Sequence, residues 1–246
     1  MLKRAPSLTD QVKAHIREMI VRGDFADGRV PPEIELAEAL GVSRTTVRDA
    51  LSRLEMEGSI SRRQGAGTFV NNPVLQIRSR LEEIWGYERM LADHGFTPST
   101  RLISAEHVRA DASPFDKCTA ADLQLAADEP LLLVAKLFLE DDVPVILTRN
   151  SIPDRLLTEL YSDEDLSRPL YEFLERFTRQ RLAYYVTDIV PLVADQEIAE
   201  LLKLEPGTPL VSFDEIGYND NNEPIVKAHS YFRDDLLRLR LLRRRV

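Results

Sequence analysis

Arg44, Thr45 and Arg48 lie within a five-residue stretch, and the pattern around them places all three on one exposed helix face. Two guanidinium groups beside a hydroxyl, with no aromatic residue or acidic run among them, suit guanine edges and phosphate oxygens. Farther along, Arg62 and Arg63 run directly into Gln64-Gly65-Ala66-Gly67. Two glycines permit a tight hairpin tip that can approach a phosphate backbone or a minor groove, and the two arginines supply charge beside it. The chemistry on offer is recognition of an anionic, base-bearing polymer.

The elements that must hold these groups follow from spacing. Ser43 is an N-cap candidate, and Val47, Ala50, Leu51 and Leu54 recur behind it at helical intervals to form a buried face. Upstream, a helix from about Glu33 to Leu40 buries Leu36, Ala37 and Leu40 and stops at Gly41, so Gly41-Val42-Ser43 forms the turn. Downstream, Gly58 closes the second helix, and Ile60-Ser61-Arg62-Arg63 pairs with Thr68-Phe69-Val70. A helix, a tight turn, a capped helix and a basic hairpin over residues 33–70 make a winged helix-turn-helix, whose second helix enters the DNA major groove. Ahead of it, Ser7-Leu8-Thr9-Asp10 resembles a capping box, followed by Val12, Ile16 and Ile20 on one helical face that covers the motif's back.

The net charge of -9 runs against a DNA binder until the chain is split. Residues 1–72 hold 11 Lys+Arg against 10 Asp+Glu, whereas residues 73–246 hold 21 against 31. Only the N-terminal part is therefore expected to meet nucleic acid. The breaks at Gly23, Gly28 and Pro31-Pro32, and again at Asn71-Asn72-Pro73, set the organisation: a DNA-binding domain over 1–72, a linker over 73–78 and a second domain over 79–246. At 246 residues and 43% hydrophobic content, each part can bury a core. Cys118 is the single cysteine, which rules out a disulfide within the chain and a cysteine-based zinc site. His15, His94, His107 and His229 are scattered without ligand spacing, so no metal and no cofactor are expected. Nowhere do about 18 apolar residues run together, and the N-terminus carries no signal-like stretch. The expectation is a cytoplasmic protein without a membrane partner.

Beyond the linker, residues from about 75 to 94 read as a helix ended by Gly95. Strand-like runs follow at 100–108, 131–139, 143–152, 182–192, 210–218 and 224–232, rich in β-branched and aromatic residues. Glu140-Asp141-Asp142 and Asn219-Asp220-Asn221-Asn222-Glu223 read as hairpin turns. Helices are expected at 120–125, 153–160, 169–177 (with Ser167 as cap) and 195–202. The fold class is α+β, the second domain being an antiparallel sheet flanked by helices.

The segment 30–70 resembles the DNA-binding domain of the GntR family of bacterial transcription regulators. The resemblance implies that Arg44, Thr45, Thr46 and Arg48 contact operator bases and phosphates, and that Gln64, Gly65 and Gly67 serve the wing; Ser43, Arg62 and Arg63 complete the expected DNA-binding set. The chain departs from the family in having Pro32 and Ile34 where Ser and Arg are usual. Losing that arginine removes about one counterion's worth of salt-dependent affinity. Residues 79–240 resemble the UTRA ligand-binding domain of the HutC subfamily, with a chorismate-lyase-like fold. The resemblance is carried by DDVPVILTRNSIP at 141–153, PLYEFLE at 169–175, IAELLKLEPGTPL at 198–210 and the closing Tyr231-Phe232-Arg233-Asp234. Such domains bind a small metabolite and dimerise.

Members that recognise sugar phosphates place two arginines, two glutamates and a serine where this chain has Lys136 and Phe138, Thr148 and Val226, and Pro169. Strand alternation puts Lys136 with Phe138 on one face, Thr148 with Asn150 on one face of the next strand, and Val226, Ala228, Ser230 and Phe232 on one face of the last. If these faces converge, Lys136, Phe138, Thr148, Asn150, Ser230 and Phe232 form a mainly apolar effector pocket with an ammonium at one end, suited to a small anion with an apolar body. A one-residue register slip would exchange the two faces; Arg149, on the other face, is expected at a dimer or helix contact. The leading expectation is a homodimeric repressor released from a palindromic double-stranded operator by a metabolite. A chorismate-lyase-like enzyme and an architectural DNA binder are the competing readings; metabolite turnover or indifference to removal of the acidic domain would mark them.

Overall fold

The computed structural model describes residues 7–72, 86–113, 119–237 and 239–240. The expected linker at 73–78, the 75–85 part of the expected helix and Cys118 lie outside the described residues. The chain divides into two compact units, one within Met1–Arg80 and one within Leu81–Arg240.

In the first unit, helix α1 (Leu8–Arg22) starts at Ser7, whose side chain accepts from the Asp10 N–H, and it buries Val12, Ile16 and Ile20. Strand β1 (Arg29–Val30) precedes α2 (Glu33–Leu40) and α3 (Arg44–Met56). Strands β2 (Ile60–Arg63) and β3 (Gly67–Val70) close the unit in a three-stranded sheet of order β1-β3-β2. Strand β1, two residues long, is too short to carry an alternation signal and has no counterpart in the sequence reading. Val47, Ala50, Leu51 and Leu54 of α3 pack with Leu36, Ile16 and Ile60 in one apolar core. That burial fixes the opposite face of α3 outward.

The second unit follows with α4 (Tyr87–Asp93), β4 (Pro98–Arg109), α5 (Thr119–Asp122), β5 (Pro130–Glu140) and β6 (Val143–Pro153). It continues with α6 (Asp163–Leu166), α7 (Leu170–Phe173), β7 (Leu182–Val193), α8 (Gln196–Leu202), β8 (Pro209–Asn219) and β9 (Pro224–Phe232). The six strands form one antiparallel sheet of order β4-β5-β6-β9-β8-β7. One face packs Phe138, Ile146 and Phe232 with Met90 and Leu91 of α4, and Val134, Ile152 and Val226 with Phe173 and Phe177. The other packs Leu137, Leu147 and Tyr231 with Ile198, Ala199 and Leu202 of α8. Covered on both sides, β5, β6 and β9 are buried almost end to end.

Three helical expectations are corrected. The helix expected at 153–160 is a single tight turn, Asp154–Leu156, because Thr158 gives both its N–H and its hydroxyl to the Phe177 carbonyl (2.8 and 3.1 Å). Ser167 does not cap the helix at 169–177. It ends α6, a short helix held by a Ser162/Asp165 capping box, while Pro169 precedes α7 and the chain then widens into the π turn Leu174–Thr178. The helix at 120–125 stops at Asp122, since Gln124 takes a left-handed conformation (φ 54°).

Candidate nucleic-acid interface and effector site

The turn between α2 and α3 decides the first surface. Ser43 accepts from the Thr46 N–H (3.1 Å), and its hydroxyl lies 2.8 Å from that of Thr46, so both side chains fix the start of α3. Arg44 and Arg48 then sit one turn apart and exposed, as does Thr45. Both guanidinium groups reach Glu33 Oε2 through Nε, at 3.2 and 3.3 Å. Burial pushes the Glu33 carboxyl up, but Arg44 and Arg48 outweigh it and hold the group below its usual range. Arg62 turns back toward α3: its Nη2 donates to Ser52 Oγ (3.3 Å), and its Nε lies 3.4 Å from Glu55 Oε2. Its Nη2 also comes within 3.9 Å of Glu33 Oε1. Arg63 lies over the Phe69 ring, 4.7 Å from its centroid. Gln64 and Gly65 occupy the exposed tip. Gly67 (φ 116°) lets the Arg29 guanidinium pass where a Cβ would stand 3.3 Å from Nε. Glu33 and Arg29 have no counterpart in the sequence reading of this surface. Their signals were faint: an acidic residue opening a helix reads as dipole compensation, and Arg29 depends on the unforeseen β1–β3 pairing.

On the sheet, register brings together the residues that alternation had selected. Lys136 faces Thr148, Thr148 faces Ser230, and Ser230 faces Phe213. The adjacent row runs Val134, Asn150, Ala228, Glu215 and Thr187. Phe138 and Phe232 lie beside them, each edge-on to Tyr87 of α4 at centroid distances of 5.4 and 5.6 Å. The Tyr87 hydroxyl donates to Ser230 (2.8 Å). Lys136, only 2% exposed, donates to the Arg168 carbonyl at 2.7 Å. Burial pushes its ammonium down to about 8, with Glu88 opposing. Glu215, 8% exposed, accepts from the Thr187 hydroxyl at 2.7 Å. Burial pushes its carboxyl up to about 7 against the hydrogen bond from Thr187. Arg149 points to the other face, where its Nη2 meets Glu197 of α8 at 2.6 Å and its guanidinium lies 5.7 Å from the centre of the Tyr231 ring.

Residues 8–70 match the gntR family of bacterial regulatory proteins, and residues 93–238 match the UTRA domain. The chain belongs to the GntR family. It is a regulator of the UTRA-bearing HutC subfamily and not an enzyme: a DNA-binding head joined to a domain of the kind that takes a small-molecule effector. It is 27% identical to the HTH-type transcriptional repressor NagR of Bacillus subtilis, over 92% of this chain and 90% of that one. It is 23% identical to the mannosyl-D-glycerate transport/metabolism system repressor MngR of Escherichia coli, over 96% and 95%. The fold resembles the possible transcriptional regulator YydK from Bacillus subtilis (TM-score 0.70, 17% identity, covering 96% and 99%) and PhnF from Mycobacterium smegmatis (TM-score 0.59, 24%, 95% and 99%). No described helix is long and apolar enough to cross a membrane, and among the described residues no cluster of His, Cys, Asp and Glu is arranged to hold a metal.

In this GntR regulator the expected effector face is more polar than the sequence suggested. Tyr87, Glu88, Tyr185, Thr187 and Glu215 were missed, because they come from α4, β7 and β8, elements whose register against β5, β6 and β9 no local pattern specifies. Burial raises the Tyr185 phenol, and the neighbouring Glu215 adds to the rise. The Tyr185 ring lies over Gly217, where a Cβ would come within 2.8 Å of it.

Proposed function

We propose that this protein is a homodimeric repressor that leaves a palindromic operator when its UTRA domain takes up a small metabolite. The observation that carries the DNA half of this reading is the pair Arg44 and Arg48, exposed one turn apart on a capped helix and aligned by a shared carboxylate. Ser43, Thr45, Thr46, Arg62, Arg63, Gln64, Gly65 and Gly67 would surround them at the groove. The division of labour would be a DNA-binding domain at 1–72, a linker at 73–78 and an effector and dimerisation domain at 79–246. Relatives named as repressors, NagR and MngR, support the sign of regulation. The edge strand β7 exposes Val186, Ile189 and Val193, an apolar edge of the sort a second copy covers. Lys136, Phe138, Thr148, Asn150, Ser230 and Phe232 would bind an anionic effector with an apolar body, Lys136 facing its charge.

The test is fluorescence anisotropy of the full chain on its own upstream intergenic DNA, at two salt concentrations, with and without fractionated metabolite pools. Tight, sequence-dependent binding released by one fraction is expected. Arg48→Ala should weaken binding to the operator by roughly tenfold or more, as loss of a base or phosphate contact does. Binding indifferent to sequence, or unmoved by every pool, would reject the reading.

A further inference from the structure

The sheet face that faces α4 carries an imbalance of charge. Lys136 has a carboxylate close by, that of Glu88, which opposes the fall in its basicity. Glu88 Oε1 is itself buried and, among the described residues, accepts no hydrogen bond. Glu215 is different. Its carboxyl is buried and bonded by the neutral hydroxyl of Thr187, and the phenols of Tyr87 and Tyr185 lie against it. The ionisable neighbour on its own strand is another acid, Asp214, whose partner Lys227 lies on the opposite face. Among the described residues, no cationic side chain forms an ion pair with Glu215. The site thus holds two carboxyl groups and one ammonium, and the uncompensated group is a carboxylate. Burial without a cation disfavours the ionised carboxylate, and an incoming ammonium relieves that cost.

The placement of the two poles constrains what can bridge them. Lys136 and Glu215 sit on β5 and β8, three strand steps apart, or roughly 14 Å between backbones, and in adjacent rows of the same face. Lys136 reaches the Arg168 carbonyl, and Glu215 is bonded by Thr187 of β7. Between them lie Thr148, Asn150 and Ser230, with Phe138, Phe213 and Phe232 alongside. We propose that the effector is a small zwitterion, its ammonium seated on Glu215, its anionic group on Lys136 and its apolar body between them. This rests on the effector reading above and sharpens it, because a simple anion would leave Glu215 uncompensated and meet two acids at the site.

The proposal predicts a proton effect. Burial holds the Glu215 carboxyl up at about 7; around it stand Tyr87 of α4, Thr187 and Tyr185 of β7 and Asp214 of its own strand, with Lys136 and Glu88 at the far end. An ammonium favours its ionised form, so binding releases protons and tightens as pH rises through 7.

The experiment uses matched triplets on the full-length protein, read by thermal shift: an amino carboxylate, the same acid without its amine, and the same amine without its carboxylate. 6-Aminohexanoate, hexanoate and pentylamine form one triplet; 4-(aminomethyl)phenylacetate, 4-methylphenylacetate and 4-methylbenzylamine form another, and longer ω-amino acids extend the span. The expected result is a rise of about 4 °C or more for at least one amino carboxylate at saturating concentration, little for its acid and amine, and proton release on calorimetry at pH 7. Glu215→Gln should weaken that amino carboxylate by about tenfold or more while leaving the acid unchanged. An acid that stabilises as well as its amino carboxylate, or a response unchanged in Glu215→Gln, overturns the proposal. So does operator release by an active metabolite that lacks an amine, and that outcome keeps the repressor reading intact. Failure of every pool to move the operator complex is instead the failure of the effector reading itself.

Discussion

At the scale of single residues, two carboxylates organise the two ends of this protein's work. Glu33 collects Arg44 and Arg48, and comes near Arg62, holding the guanidinium groups in place before DNA arrives. It also sets a negative charge close to where phosphates must lie. Glu33→Gln should therefore tighten binding to arbitrary duplex by a few-fold while narrowing the gap between operator and arbitrary DNA, measured by competition anisotropy. Glu215 acts on stability. Its folded carboxyl is raised to about 7 from an ordinary 4.5, so its contribution is fully present below about pH 4.5 and is lost as pH rises through 7, by about 3 kcal/mol in all. The ligand-free melting temperature should fall from pH 6 to pH 8, and Glu215→Gln should flatten that part of the profile and melt higher than wild type at pH 8. A wild-type and mutant pair with parallel profiles would show that the carboxyl is not desolvated in solution.

At the scale of elements, the recognition helix depends on its first turn. Ser43 supplies the acceptor for the Thr46 N–H, and α3 has no acidic residue in its first turn to serve instead. Ser43→Ala should cost about 1 kcal/mol of stability in chemical denaturation, and it should weaken operator binding by fraying the turn that aims Arg44. On the sheet, Gly217 is the complementary case. A methyl group there would come within 2.6 Å of Val226 and 2.8 Å of Tyr185, so the side chains of β7 and β9 close over β8 only because that position has none of its own.

At the scale of the whole molecule, the acidic C-terminal part and the near-neutral head divide the labour. Their charges differ by sequence position, 21 basic against 31 acidic residues in 73–246 and 11 against 10 in 1–72, so attraction to DNA is confined to the head. If effector and operator favour different states of one dimer, each must weaken the other by the same factor. Calorimetric titration of effector into free protein and into the operator complex, and of operator into free and effector-loaded protein, should return the same factor of weakening. Unequal factors would mean that a change of oligomer or a further binding event takes part.

Much of the head could be read from its own chain, because its information is local. A serine cap, a 3.6-residue apolar period and a glycine-tipped hairpin each act within a few residues, so α3, its buried Val47, Ala50, Leu51 and Leu54, and its outward Arg44 and Arg48 follow from short-range sterics and hydrogen bonding. The strands of the second unit were legible for the same reason, and period-two alternation chose the face shared by Lys136, Thr148 and Ser230. What only the tertiary structure decided is pairing across distance. Hydrogen-bond register between β8 and β9 brought Glu215 into line with Asn150 and Ala228, and packing of α4 laid Tyr87 over Ser230. The Thr158 bonds to Phe177 unmade a helix that local propensity favoured. Spacing along a chain fixes which way a side chain points; the protonation of Glu215, like the company of Lys136, is set by desolvation and by neighbours that strand order alone brings near.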